Sequence, residues 1–468
     1  MLNFIIFFAN TGTYLLQQKF IHAAFWNAFN VFLYKIILQI HQTCLFYVIS
    51  KELFGISGIL FSTIYFLISL TNFGFDYSLF AFHQYYSSSQ KNFKIMMQQF
   101  MLRSIAVLFV TSLFLIIFHY FSYLPQIFFI KQYAPTPLIT ILALIFISES
   151  MKKSLELFAH LSFLNKTITI LEIISLLAYT ATVWVFYFVF GFINLYVIFT
   201  AMCMMSLIEL NLVLQRLNKF KQTLPLTADS SCHPTRKTIF SNQCINYINQ
   251  IAKALFSPNF IIIFLAYHLG MIKAGYIKLI IDSVIVLYML LNRAVGIPSG
   301  ALMSQRATLT KPDLPHFSVI FLKITNAYIQ FLYTLLIISS AIIIPCIIKS
   351  NCSNTTMINI VFFAFTGFLE YLMITYEKLY LTQNAAHALA IINISALTFL
   401  IPALWFSNNT ITEYLLLPFV IIRLISFVSI AYLAYTTWNI KPYFYIKLKT
   451  IFITLLPFLS ILALSLKY

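Results

Sequence analysis

The chain has 468 residues, of which 61% are hydrophobic and only 9% charged, where soluble domains carry roughly 25% charged residues. That balance excludes a water-soluble globular protein. A formal charge of +17 would suggest nucleic acid in a soluble chain; here it reads as topology, because Lys and Arg collect in cytoplasmic loops, and no nucleic-acid partner is expected.

Met1–Asn10 is apolar but has neither a basic leader nor a small-residue cleavage site, so no cleavable signal is expected. The apolar runs that follow are continuous rather than alternating. Continuous runs select helices over a barrel, because each helix satisfies its own backbone in lipid. In chain order they predict about twelve spans of the length a bilayer requires: 23–49, 58–80, 104–122, 135–151, 167–190, 192–215, 242–268, 276–302, 318–346, 358–377, 387–406 and 413–436. The apolar tail Ile451–Leu466 is either a thirteenth span or an interfacial segment. The predicted fold class is an all-α polytopic membrane protein.

Orientation follows from charge. With the N-terminus inside, Lys91, Lys94, Arg103, Lys152, Lys153, Lys166, Arg216, Lys219, Lys221, Arg236, Lys237, Arg306, Lys311, Lys378, Lys441, Lys447 and Lys449 fall on the inner side. Only Lys51, Lys131, Lys273 and Lys349 fall outside, so a cytoplasmic N-terminus in a cell inner (plasma) membrane is expected.

The longest polar stretch surrounds Leu224-Pro225 and His233-Pro234. It divides the chain into an N-terminal six-helix lobe at 1–215, a cytoplasmic linker at 216–241 and a C-terminal six-helix lobe at 242–436. A basic segment and the short tail follow at 437–468. The two halves echo each other. Ser50 to Gly55 and Gly270 to Gly275 both read as a small residue, four others, then Gly, about half a chain apart. Parallel repeats of this kind place a substrate path at their interface.

Several residues carry a resemblance. Phe25-Trp26-Asn27-Ala28-Phe29-Asn30, Lys51-Glu52-Leu53-Phe54-Gly55-Ile56-Ser57-Gly58 and Asn72-Phe73-Gly74-Phe75-Asp76 resemble the first two helices of Wzx-type polysaccharide flippases. Those belong to the multidrug/oligosaccharidyl-lipid/polysaccharide exporter superfamily. In the second lobe, Gly270 and Ala274-Gly275-Tyr276 precede a helix ending Gly296-Ile297-Pro298-Ser299-Gly300-Ala301-Leu302. Ser50 departs from the commoner Gly, and the tail has no clear counterpart. The resemblance implies two six-helix bundles around a central cavity. It also implies transfer of a polyprenyl-diphosphate-linked oligosaccharide to the outer leaflet, with proton or sodium coupling and a polysaccharide polymerase machinery as partner.

The chemistry of such a substrate, an anionic diphosphate on a polar glycan, calls for cations and polar groups at bilayer depth, where each charge is costly. Asn27, Asn30 and His41 lie near one stripe of the first span, with Lys35 offset from it. Lys35 either lines a cavity or snorkels to the surface. Arg293 has no acid one turn away. A guanidinium suits bidentate phosphate contact; the alternative is an anchor at the inner edge. Arg423 is similarly isolated. Glu172, Glu209 and Glu370 are the candidate coupling acids, with structural pairing the alternative, for Glu209 to Lys35 or Arg293. Lys278 and Asp282 have helix ion-pair spacing.

The six cysteines form no CxxC pair and have no His at ligand spacing. No metal, no cofactor and no enzymatic activity are expected. The rival functions are a multidrug exporter of the same superfamily and a membrane glycosyltransferase or polymerase.

Overall fold

The computed structural model describes residues 14–120, 136–226, 234–275, 385–410 and 415–438, with scattered positions between 277 and 381. Among these residues the structure is helical and contains no strand. The principal helices are α1 (Tyr14–Val48), α2 (Lys51–Leu70), α3 (Phe75–Tyr86), α4 (Gln90–Tyr120), α5 (Thr136–Leu161) and α6 (Asn165–Phe190). They continue with α7 (Leu195–Thr223), α8 (Arg236–Ala254), α9 (Pro258–Leu269), α10 (Ala386–Thr410) and α11 (Leu417–Trp438).

Eight helical stretches among the described residues are long and apolar enough to cross a membrane. The span predicted at 318–346, the tail 437–468 apart from Thr437 and Trp438, and Arg293 lie outside the described residues. Large apolar side chains on α4 support the membrane assignment. Leu102, Ile105, Phe109, Leu113 and Ile116 are exposed along one helical stripe. Water would not tolerate that stripe, whereas lipid covers it without cost.

Local sequence explains the helix starts. Ser50, Asn194, Thr235 and Ser257 each accept the backbone N–H three residues on, at Leu53, Val197, Thr238 and Phe260. These are the side chains that satisfy orphan donors at a helix N-terminus. Pro258 follows its cap at the position where a missing N–H is harmless. Between α2 and α3 the chain turns through Phe73 (φ 53°) and Gly74 (φ 71°), and Asn72 Oδ1 accepts the Asp76 N–H at 3.2 Å.

The chain divides into two compact units, Phe32–Tyr276 and Met1–Val31 with Ile277–Tyr468. In the first, α7 packs on α5 and α6, and α5 on α2, α3 and α4. Ile56, Leu60, Ile64 and Ile68 repeat every four residues along α2 and meet Leu138, Leu142 and Ile145 of α5 and Phe199 of α7 in one core. Helix association in lipid gains from such close packing rather than from the hydrophobic effect. In the other unit α10 packs on α11. There Asn359 Oδ1 accepts the Leu416 N–H at 3.1 Å and the Tyr380 hydroxyl donates to the Ile430 carbonyl at 3.1 Å.

The predicted boundaries shift at the charged ends. The fourth predicted span stops at residue 151, but α5 continues to Leu161. Lys152 and Lys153, expected in a loop, are helical. Arg103, also expected on the inner side, is buried within α4. In both cases side chains on neighbouring helices satisfy the charge, so the helix can carry it. Helices also enter the polar stretch 216–241, since α7 runs to Thr223 and α8 begins at Arg236.

Candidate functional site: a lysine among four buried glutamates

Glu149, Lys152 and Glu156 stand three and four residues apart on α5, which sets them on one helix face. Lys152 Nζ is 2.6 Å from Glu149 Oε1 and 2.9 Å from Glu209 Oε2 on α7. Ser206, one turn before Glu209, donates to Glu149 Oε1 at 2.6 Å and accepts from Ser148 at 3.0 Å. Glu156 and Glu172 are each 5% exposed, and Glu156 lies within the field of Lys152, Glu172, Glu209 and Glu149. Glu156 Oε1 and Glu209 Oε1 are buried with no hydrogen-bond partner among the described residues.

Other helices close the cluster. Tyr34 of α1 and Tyr65 of α2 lie near enough to interact with Lys152 and Glu149. Lys153 sits 4.0 Å over the Tyr65 ring, and its charge also acts on Glu149. Glu149, Glu156 and Glu209 therefore act on one buried ammonium, and Glu172 acts on Glu156 and Glu209. An unpaired charge in a low-dielectric interior costs several kcal/mol. A proton or a small cation at Glu156 Oε1 or Glu209 Oε1, which accept no hydrogen bond among the described residues, would lower that cost.

A second buried network adjoins it. Arg103 of α4 donates to Ser154 at 2.5 Å and Ser150 at 3.0 Å, both on α5. Ser154 donates in turn to Asp76 Oδ1 at 2.6 Å. Phe75 lies under the guanidinium, 5.8 Å away. These bonds tie α3, α4 and α5 together beside the glutamates.

The sequence-predicted residues fall in several places. Glu209 and Glu172 belong to the lysine cluster, and Glu209 pairs with Lys152. His41 is buried, and Trp184 Nε1–H donates to its Nδ1 at 3.1 Å, while Nε2 lies 3.4 Å from the Tyr179 hydroxyl. That arrangement puts the imidazole proton on Nε2 and holds the ring against α6. Asn27 and Asn30 are buried and Lys35 is half-buried. Arg423 is fully buried in the other unit, 2.7 Å from Glu370 and 3.1 Å from Asn393 Oδ1. Lys278 and Asp282 form the ion pair their spacing permits, at 2.7 Å.

Sequence reasoning missed Glu149, Lys152 and Glu156. Their helical spacing was readable, but placing a loop at 152 hid it.

No family model matches the chain, and no curated relative does. Solved structures do. The eukaryotic MATE transporter AtDTX14 superimposes with a TM-score of 0.63 at 10% identity, covering 90% of this chain and 96% of that one. The fold is that of MATE transporters. The MATE multidrug transporter DinF-BH gives a TM-score of 0.61 at 14% identity, covering 92% of this chain and 97% of that one. A MOP-superfamily transporter from Pyrococcus furiosus, described as having a binding pocket of reversed polarity, gives 0.52 at 10% identity over 90% and 97% of the two chains. At these identities the likeness concerns architecture.

Proposed function

We propose that this chain is an alternating-access membrane transporter that moves a polyprenyl-diphosphate-linked oligosaccharide from the inner to the outer leaflet, coupled to protons or sodium ions. The observation that carries the transport reading is the Lys152 cluster, set within a MATE-like fold. Acids within lipid-embedded helices are rare, are paired within the bundle and mark ion or substrate paths. Within this reading Glu156, Glu172 and Glu209 exchange the coupling cation, and Lys152 holds the remaining negative charge in place. Lys35, Asn27 and Asn30, with Arg293 and Arg423, are the proposed contacts for diphosphate and sugar, and His41 positions the first helix.

The glycan assignment rests on the resemblance of the first two spans and on cations at bilayer depth. The second reading is a multidrug exporter. It is favoured by the excess of carboxylate in the cluster, which suits a cationic substrate. The two separate on deletion of the gene. A flippase deletion accumulates complete lipid-linked repeat units on the cytoplasmic face. Wild-type glycan together with new sensitivity to cationic dyes would identify the exporter, and truncated units would identify a glycan-building enzyme.

A further inference from the structure

The two glycines that mark the sequence repeat meet in the fold. A Cβ placed on Gly275 would stand 2.7 Å from the Gly55 Cα, and one placed on Gly55 would collide with the Met271 carbonyl oxygen. At the other end of the same helix pair, a Cβ on Gly74 would collide with the Gln243 carbonyl and lie 2.9 Å from the Tyr247 nitrogen. The contact is unbroken between these points. Ile59 packs with Ala266 and Ala274. The Phe66 and Phe260 rings lie 5.4 Å apart, and the Phe73 and Tyr247 rings 5.3 Å apart. Gln243 donates to Gln99 Oε1 at 3.3 Å beside the last pair. Thus α2 and the turn into α3 are joined along their whole length to α8, α9 and the helix start after Gly270.

A gate in an alternating-access cycle is closed at one end while the other end is open. This pair is closed at both ends and in the middle. At its ends backbone touches backbone, the close approach that small residues permit between helices in lipid. Opening it would strip every one of these contacts together. We infer that this seam is the fixed hinge line of the cycle, the side of the path that does not open. The inference rests on the transporter reading above. A bulky lipid-linked headgroup then enters and leaves on a side not formed by α2 and α9.

The test uses a full-length chain whose six cysteines are replaced. Phe66→Cys with Phe260→Cys, and Phe73→Cys with Tyr247→Cys, are linked in native membranes by a short bifunctional methanethiosulfonate. Linkage is read by mass spectrometry and export by lipid-linked glycan analysis. A hinge predicts that both pairs link, in the same molecule when all four cysteines are present, and that linking causes no loss of export. Export that stops on linking and returns on reduction overturns the inference, as does linkage of the two pairs in mutually exclusive populations. If the Phe73 and Tyr247 variants do not accumulate, Gln99→Cys with Gln243→Cys reports the same end. Linkage is scored apart from export. A chain that exports no glycan even when unlinked counts against the substrate reading. The hinge is then decided by whether both pairs link in one molecule at every pH and sodium concentration.

Discussion

Lys152 of α5 reaches across to Glu209 of α7 at 2.9 Å while also holding Glu149 on its own helix at 2.6 Å. One ammonium thereby binds two helices and partly neutralises Glu149, Glu156 and Glu209. Glu156 Oε1 and Glu209 Oε1, which accept no hydrogen bond among the described residues, are the carboxylate oxygens open to a proton or a cation.

Replacing Lys152 by Met removes the cation that pairs with Glu149 and Glu209. Breaking a buried pair in this way costs about 3–5 kcal/mol, because the surviving charge stays buried. The expected result is a much lower melting temperature in detergent and reduced accumulation in the membrane. Combining Lys152→Met with Glu149→Gln and Glu209→Gln should recover part of the loss, since no uncompensated charge then remains on those partners.

Glu156→Gln should separate stability from function. Its Oε1 accepts no hydrogen bond among the described residues, so the amide costs little packing and removes one buried charge. Melting is expected to hold or rise. Export is expected to fall at least tenfold, about 1.4 kcal/mol on the rate-limiting step, and to lose its response to external pH or sodium. Normal, ion-responsive export by this variant would remove Glu156 from the coupling group.

The glycines give an internal control. Gly74 and Gly191 both have left-handed backbones, at φ 71° and 74°, but only Gly74 faces another backbone. An added methyl at Gly191 meets nothing within 4 Å. Gly191→Ala should therefore cost about 1 kcal/mol, the torsional penalty alone. Gly74→Ala should cost that plus the displacement of α8, about 1–3 kcal/mol more. Thermal melting of the two variants side by side measures the difference.

Arg103→Lys should not substitute for arginine. The two nitrogens that reach Ser150 and Ser154 belong to one planar fork, which an ammonium cannot reproduce. A loss of about 1.5–3 kcal/mol is expected for hydrogen bonds from a charged donor, seen as a lower melting temperature. Ser154→Ala should show part of the same loss, because that hydroxyl also donates to Asp76.

Much of the architecture follows from hydropathy. A helix must be apolar over its lipid-facing length, so α6, α10 and α11 stand out as apolar runs close to their observed bounds, whereas the span predicted at 58–80 starts inside α2 and runs across the turn at Phe73 and Gly74 into α3. Hydropathy ends helix α5 short for the same reason. Glu149, Lys152 and Glu156 lower its hydropathy, and only their partners on neighbouring helices explain why they are tolerated inside a bundle. Glu209 was recognisable as an acid within a span, but its partner was not, because Lys152 lies 57 residues away in sequence.

The chain alone determines that it is helical and lives in lipid, since its charge content cannot support a water-facing surface and its apolar runs match a bilayer. It also displays the repeat ending in Gly55 and Gly275. Which charges neutralise one another was decided only by tertiary packing, as was the direct contact of those two glycines. Both depend on distances between helices remote in sequence, and hydropathy is blind to such distances.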